Sequence, residues 1–377
     1  MARQGFSRLR GLVTAVGMAL LLAGCTTTSR TPYSLAEDGQ ASIPGIPAAR
    51  FWADDSKELV ANVGRVATGS QVKFLALSGG GASGAYGAGF LACWSKTGQR
   101  PAFSVVSGAS VGALIAPFAF LGPAYDPVLT QMFTSGETDG LLQFAGLSGL
   151  FGTGLFRDEP LARLVDKYVT PQLLAAIAAE HAKGRVLTVV TTNLDSQRTA
   201  VWDMGAIASS RDPHAFALFK SVLLASASIP GVFPAELIKV QANGRSFSEM
   251  HVDGGVTANI LVVPEAILTS RVSANGAKVE VYAIVNGKLG PDFSVVDPQI
   301  LPIFQRAFET AIKANTRNSL IASMEFLRRL GGSLKVTAIP ETAEGIAATD
   351  FDRAKMTRLY DFGCAAAQSG DRWAASL

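Results

Sequence analysis

Three short motifs in this chain carry residues able to do acyl chemistry, and they follow one another in order. Gly79-Gly80-Gly81-Ala82-Ser83-Gly84 comes directly after the apolar run Phe74-Leu75-Ala76-Leu77. Gly108-Ala109-Ser110-Val111-Gly112 follows Phe103-Ser104-Val105-Val106-Ser107, and Asp253-Gly254-Gly255 follows Glu249-Met250-His251-Val252. A serine hydroxyl is a weak nucleophile until its position and a neighbouring base activate it. In Gly-x-Ser-x-Gly, the small Gly108 and Gly112 permit a sharp strand-to-helix turn that exposes Ser110. A helix beginning at Val111 then sets its positive end beside any charge that develops there. Together the motifs read as a serine hydrolase.

The first motif also fits Gly-x-Gly-x-x-Gly, the dinucleotide fingerprint, which requires an acidic residue about twenty positions later. No Asp or Glu lies between Glu58 and Asp126, so that reading fails. Residues 79–84 fit an oxyanion loop better, with backbone N–H groups bare of side chains and no carboxylate nearby to oppose an anion. The base is less direct. Histidine is the usual one, and the chain has three, His181, His214 and His251. No histidine follows Asp253, although Asp195 with His214 or His251 would satisfy the Ser, acid, His order formally. His251 reads as a strand neighbour of Asp253, because residues two apart share a face. That leaves Asp253 itself, a weak base at its ordinary pKa of about 3.9 but a stronger one when buried.

The ordered set resembles the patatin-like phospholipase family. Ala225-Ser226-Ala227-Ser228-Ile229-Pro230-Gly231-Val232-Phe233-Pro234, Asn259 and Pro264 extend the likeness from about Lys73 to Pro264. The resemblance implies a three-layer α/β fold with a central, largely parallel sheet flanked by helices. It also implies a Ser110–Asp253 dyad, an oxyanion loop at Gly79, Gly80, Gly81, Ala82, Ser83 and Gly84, and an elbow of Gly108, Ala109, Val111 and Gly112. Gly254 and Gly255 complete the Asp-Gly-Gly motif. The implied activity is hydrolysis of phospholipids or related lipid esters. Members often carry Lys or Arg where this chain has Ser83, a difference that bears on phosphate-bearing head groups more than on hydrolysis. Two other readings stay open: a histidine-dependent esterase of α/β-hydrolase type, and a lipid-anchored binding or scaffold protein without the chemistry.

The elements that must position these motifs alternate along the chain. Strand-like runs are predicted over Val72–Leu77, Phe103–Ser107, Val186–Asn193, Ala200–Asp203, Glu236–Val240, Phe247–Val252, Val279–Asn286 and Leu334–Ile339. Helical runs are predicted over Gly84–Thr97, Val111–Leu121, Pro160–Tyr168, Pro171–Lys183, His214–Ala227, Leu301–Leu330 and Arg353–Ala367. Their alternation argues for an α/β fold with a parallel sheet. A single catalytic domain is expected over 71–340, with a C-terminal helix and tail over 341–377. The uncharged, glycine-rich stretch 140–156 reads either as a packed loop or as a mobile apolar lid.

The N-terminus reads as targeting. Arg3, Arg8 and Arg10 precede an apolar run from Gly11 to Leu22 that is too short to span a bilayer. Leu22-Ala23-Gly24-Cys25 resembles the lipobox of bacterial lipoproteins, which implies cleavage after residue 24 and lipidation of Cys25. Each buried methylene of such an anchor adds roughly 0.8 kcal/mol of membrane affinity. Residues 25–70, rich in Ser, Thr, Pro and Gly near their start, are expected to form a tether. The expected location is therefore the bacterial envelope, on the periplasmic face of either membrane. With the signal removed, the formal net charge of +3 falls to zero, leaving no nucleic-acid footprint. A hydrophobic share of 48% supports a substantial core. No Cys/His cluster suggests a metal, no cofactor is implied, and the partners expected are lipid substrate and membrane. Cys93 and Cys364 could pair in an oxidising compartment, but their wide separation carries no framework signal, and Cys93, in the apolar helical run Gly89–Trp94, reads rather as a buried free thiol.

Overall fold

Runs of apolar and β-branched residues line up as a sheet whose central strands are buried on both faces, the pattern a parallel sheet between helical layers requires. The computed structural model describes residues 30–55, 71–146, 154–269, 278–343 and 346–374. The strands are β1 (Arg50–Trp52), β2 (Gln71–Leu77), β3 (Val105–Ala109), β4 (Val186–Asn193), β5 (Arg198–Asp203), β6 (Glu236–Ala242), β7 (Arg245–Asp253), β8 (Lys278–Val285) and β9 (Ser333–Ala338). They form one nine-stranded sheet in the order β1-β5-β4-β3-β2-β8-β9, with β7 added to β4 and β6 to β7. β4, β3, β2, β8 and β9 run parallel, while the other pairings are antiparallel. The largely parallel α/β sheet expected from the sequence is therefore present.

The longer helices are α1 (Gly84–Lys96), α2 (Val111–Leu121), α3 (Asp126–Thr134), α4 (Glu159–Tyr168), α5 (Pro171–His181), α6 (Ala215–Ala227), α7 (Ile300–Arg329) and α8 (Arg353–Gln368). Side chains alternate across the sheet. Leu75, Leu77 and Ile284 join the large cluster that includes Phe90 of α1, Ile115 of α2 and Met356 of α8. Ala76, Ala283 and Val285 face the other way, onto Leu320 and Leu327 of α7. Three layers result.

Two expectations are corrected at the chain ends. The expected tether is, over residues 30–55, a packed segment: Ile43, Ile46 and Ala49 are buried in the core and β1 pairs with β5. Tyr33 also stacks on Phe247 at 4.3 Å between ring centres. Its Pro- and Gly-rich composition reflects an irregular path, not mobility. The expected signal peptide, Cys25 and the remaining tether residues, 26–29 and 56–70, lie outside the described residues. At the other end, α8 is part of the core, with Met356, Leu359 and Ala367 buried. It lies close against α1 because each helix offers a glycine: a methyl on Gly89 would strike the Tyr360 carbonyl, and one on Gly363 the Tyr86 carbonyl. That approach brings Cys93 and Cys364 to a Cα–Cα distance of 5.0 Å, and they form a disulfide rather than the expected free thiols.

Candidate active site

Ser110 follows β3 at a backbone position that L residues avoid, φ 53° and ψ −127°. Such strain persists only where the surroundings enforce it. A methyl on Gly108 would collide with the Gly112 carbonyl, and one on Gly112 with that of Leu77, so the turn tolerates only these glycines. Ser226, at the end of α6, locks it further. Its hydroxyl accepts the Ser110 N–H at 3.0 Å and donates to the Val190 carbonyl at 2.6 Å.

Strand pairing brings Asp253 to Ser110. Along β4, β3 pairs with residues 186–190, and β7 takes the same edge from Thr191 onward in the opposite direction. The other edge of β4 is occupied by β5. Ala109 therefore pairs with Val190 and Asp253 with Thr191, so the ends of β3 and β7 meet head to head. The Ser110 hydroxyl donates to Asp253 Oδ2 at 2.5 Å, and the Gly255 N–H donates to Oδ1 at 2.7 Å. Asp253 is 3% exposed. Burial pushes its carboxyl up to about 7, a rise that these two hydrogen bonds only partly oppose. A carboxylate of that basicity in contact with the hydroxyl can take its proton.

The glycine-rich loop leaves β2 beside this pair; a methyl on Gly79 would sit 3.0 Å from Ser110 Cβ. Most of its N–H groups are engaged. Gly79 donates to the Asn259 carbonyl and Ala82 to the Ala348 carbonyl, both at 2.9 Å, and Ser83 donates to Gly80 at 3.1 Å. Gly84 donates to the Ala82 and Gly81 carbonyls. Among the described residues, the Gly80 and Gly81 N–H groups have no acceptor, so these two can serve an anion. Of the six residues expected to form an oxyanion loop, two therefore present N–H groups without an acceptor among the described residues, and the other four are held by hydrogen bonds. Asn286, just past β8, holds the loop's base: its Nδ2 donates to the Ser78 carbonyl at 2.8 Å, and its Oδ1 accepts the Gly87 N–H at 3.1 Å. Sequence reasoning missed Asn286, although a polar residue closing an apolar parallel strand marks the edge where α/β proteins place their sites. Ser226 lay within a recognised block without a role.

None of the histidines reaches Ser110 or Asp253. His251 is fully buried, with Nδ1 2.9 Å from Thr191 Oγ1 and Nε2 3.0 Å from Glu249 Oε2. Thr191 Oγ1 accepts the Trp202 indole N–H at 2.8 Å. The Glu249 carboxylate can only accept, so Nε2 of the neutral ring carries the proton and Nδ1 accepts from the Thr191 hydroxyl. Burial lowers the His251 pKa against the pull of Glu249, so the ring stays neutral. His181 faces Asp203, with Nδ1 3.8 Å from Oδ1, and His214 precedes α6. Asp195 pairs with Arg30 and Tyr33 instead.

A cavity of about 40 Å³ opens from Ser110, Val111 and Gly81. Its walls are apolar and include Met132 and Phe133 of α3, Leu164 of α4, Phe233, Phe351 and Met356. Neither α3 nor α8 carries a motif that would place it here. Leu141, within the stretch 140–156, is a packed wall residue clustered with Leu161 and Phe233. Phe144 is exposed against Phe156, and residues 147–153 lie outside the described residues. Among the described residues, no group of three or more His, Cys, Asp or Glu could hold a metal, and no helix is long and apolar enough to cross a membrane.

A sequence model of the family described as patatin-like phospholipase matches residues 75–266. The crystal structure of VipD from Legionella pneumophila is similar over 78% of this chain and 67% of its own, at 14% identity and a TM-score of 0.35. No curated protein matches the sequence.

Proposed function

The chain belongs to the patatin-like phospholipase family, and from that premise we propose that it is a membrane-anchored lipid acyl hydrolase working through a Ser110–Asp253 dyad. The observation that carries this reading is the 2.5 Å contact between a strained serine and a buried carboxyl of raised pKa at the mouth of an apolar cavity. In the proposed mechanism, Ser110 Oγ bonds to the ester carbonyl carbon as its proton passes to Asp253 Oδ2. The carbonyl oxygen becomes an oxyanion held by the Gly80 and Gly81 N–H groups. Collapse breaks the ester C–O bond, and Asp253 returns its proton to the departing alkoxide. Water then attacks the acyl-serine and gives a proton to Asp253. Breakdown of the second tetrahedral intermediate releases the acid, and Ser110 recovers its proton from Asp253.

Anchoring through a lipidated Cys25 in the bacterial envelope is part of the proposal. The Cys93–Cys364 disulfide favours it, because such bonds persist in oxidising compartments and are rare in the cytosol. Labelling by a fluorophosphonate probe tests the chemistry: wild type should label and hydrolyse lipid esters, and Ser110→Ala should do neither. Folded protein that never labels would return the chain to the binding-protein reading. Radiolabelled palmitate incorporation that survives Cys25→Ser would remove the anchor.

A further inference from the structure

The cavity at Ser110 does not end in bulk protein. A second cavity, of about 10 Å³, lies beyond it, and the two share three wall residues: Leu114, Met132 and Leu164. The far compartment is bounded by Pro117 and Phe118, further along α2, and by Tyr168 at the end of α4. Val111, Leu114 and Phe118 lie at i, i+3 and i+7 on α2, one face of a helix that starts at the nucleophile. The two compartments therefore form a single apolar slot running down α2 from Ser110, interrupted by a partition.

We propose that this slot takes the acyl chain of the substrate and that the Leu114–Met132–Leu164 partition restricts the enzyme to short acyl esters. The inference rests on Ser110 being the nucleophile. The rise from Val111 to Leu114 is ~4.5 Å, the reach of an acyl chain of about four to six carbons, whereas Phe118 lies ~10 Å along the helix, the reach of about eight to ten. Among the described residues, the near walls carry no charged side chain to satisfy a polar head group, so the slot fits the acyl side of the ester. Met132 is the movable part: it is unbranched, adaptable and 4% exposed, and it touches both compartments.

The test is an acyl-length profile with monomeric p-nitrophenyl esters from acetyl to palmitoyl, alongside fluorophosphonate labelling. Wild-type kcat/KM should peak at butyryl or hexanoyl and fall at least tenfold by decanoyl. Met132→Ala should join the compartments and raise the octanoyl-to-butyryl ratio at least tenfold. Leu164→Ala should open the partition from the α4 side and act in the same direction, which covers the case of an unfolded Met132 variant. A wild-type profile that is flat or peaks at palmitoyl overturns the partition. So does an unchanged ratio in variants that still label at Ser110. Loss of labelling in wild type would instead defeat the dyad, a result distinguishable from failure of the partition.

Discussion

Two buried carboxyls on β7, four residues apart and on the same strand face, have opposite fates. Glu249 lies between the Arg50 guanidinium and His251 Nε2. Among the described residues, the Asp253 carboxyl has only a hydroxyl and a backbone N–H. Burial raises both, but at Glu249 the hydrogen bond from His251 and the charge of Arg50 more than reverse it, leaving the group below its ordinary pKa. At Asp253 nothing cationic offsets desolvation, and the pKa reaches about 7. A paired carboxylate anchors structure; an unpaired one keeps the raised pKa that suits a base. Arg50 comes from β1 and also stacks on the Trp52 ring at 4.3 Å, so the N-terminal strand serves the first carboxyl and leaves the second alone.

The largest effect expected comes from Asp253→Asn, which keeps the shape and removes the base. Acylation of Ser110 should slow by about 10²–10⁴-fold, measured by burst kinetics with an activated ester. A loss below tenfold would mean that Asp253 is not the proton acceptor. Next in size, Arg50→Met leaves Glu249 buried without its cation and should cost about 3–5 kcal/mol of stability by urea unfolding, with far less effect on acylation than Asp253→Asn. His251→Phe should cost on the order of 1–3 kcal/mol by stranding Thr191 and Glu249, again with acylation largely preserved. Acylation lost as completely as in Asp253→Asn would restore histidine as the base.

The last effect is a tilt in the stability curve. Folded Asp253 keeps its proton to about pH 7, while the unfolded carboxyl loses it near 4. The native state binds more protons in between, so this group's contribution is full at acid pH and declines as pH rises through that window. Glu249, lowered in the fold, contributes above the unfolded carboxyl's titration and loses that contribution as pH falls. Thermal melts from pH 4 to 8 should show Asp253→Asn gaining stability relative to wild type towards pH 8. In melts extended below pH 4, Glu249→Gln should lose its disadvantage as pH falls.

Much of this was legible in the chain. Val186–Asn193 and Val111–Leu121 form with the bounds their patterns predict, because apolar runs between breakers leave little choice of period. The elbow was equally plain, since only glycines tolerate the contacts at 108 and 112. β1 was not, because three residues carry no periodicity and the strand exists only through its partner β5. The Asn243-Gly244 turn joining β6 to β7, both residues at positive φ, is a hairpin signal that could have fixed the register leading to Asp253.

By itself, the sequence determined the residue types the chemistry needs, the breakers that expose Ser110 and the order of strands and helices, since these depend on local sterics and hydrophobic period. Only the tertiary structure decided which edge of β4 receives β7, and hence that Asp253 meets Ser110. It also decided that Arg50 neutralises Glu249 and not Asp253, and that Cys93 finds Cys364. Those outcomes depend on burial and on partners distant in the chain, and no local pattern encodes them.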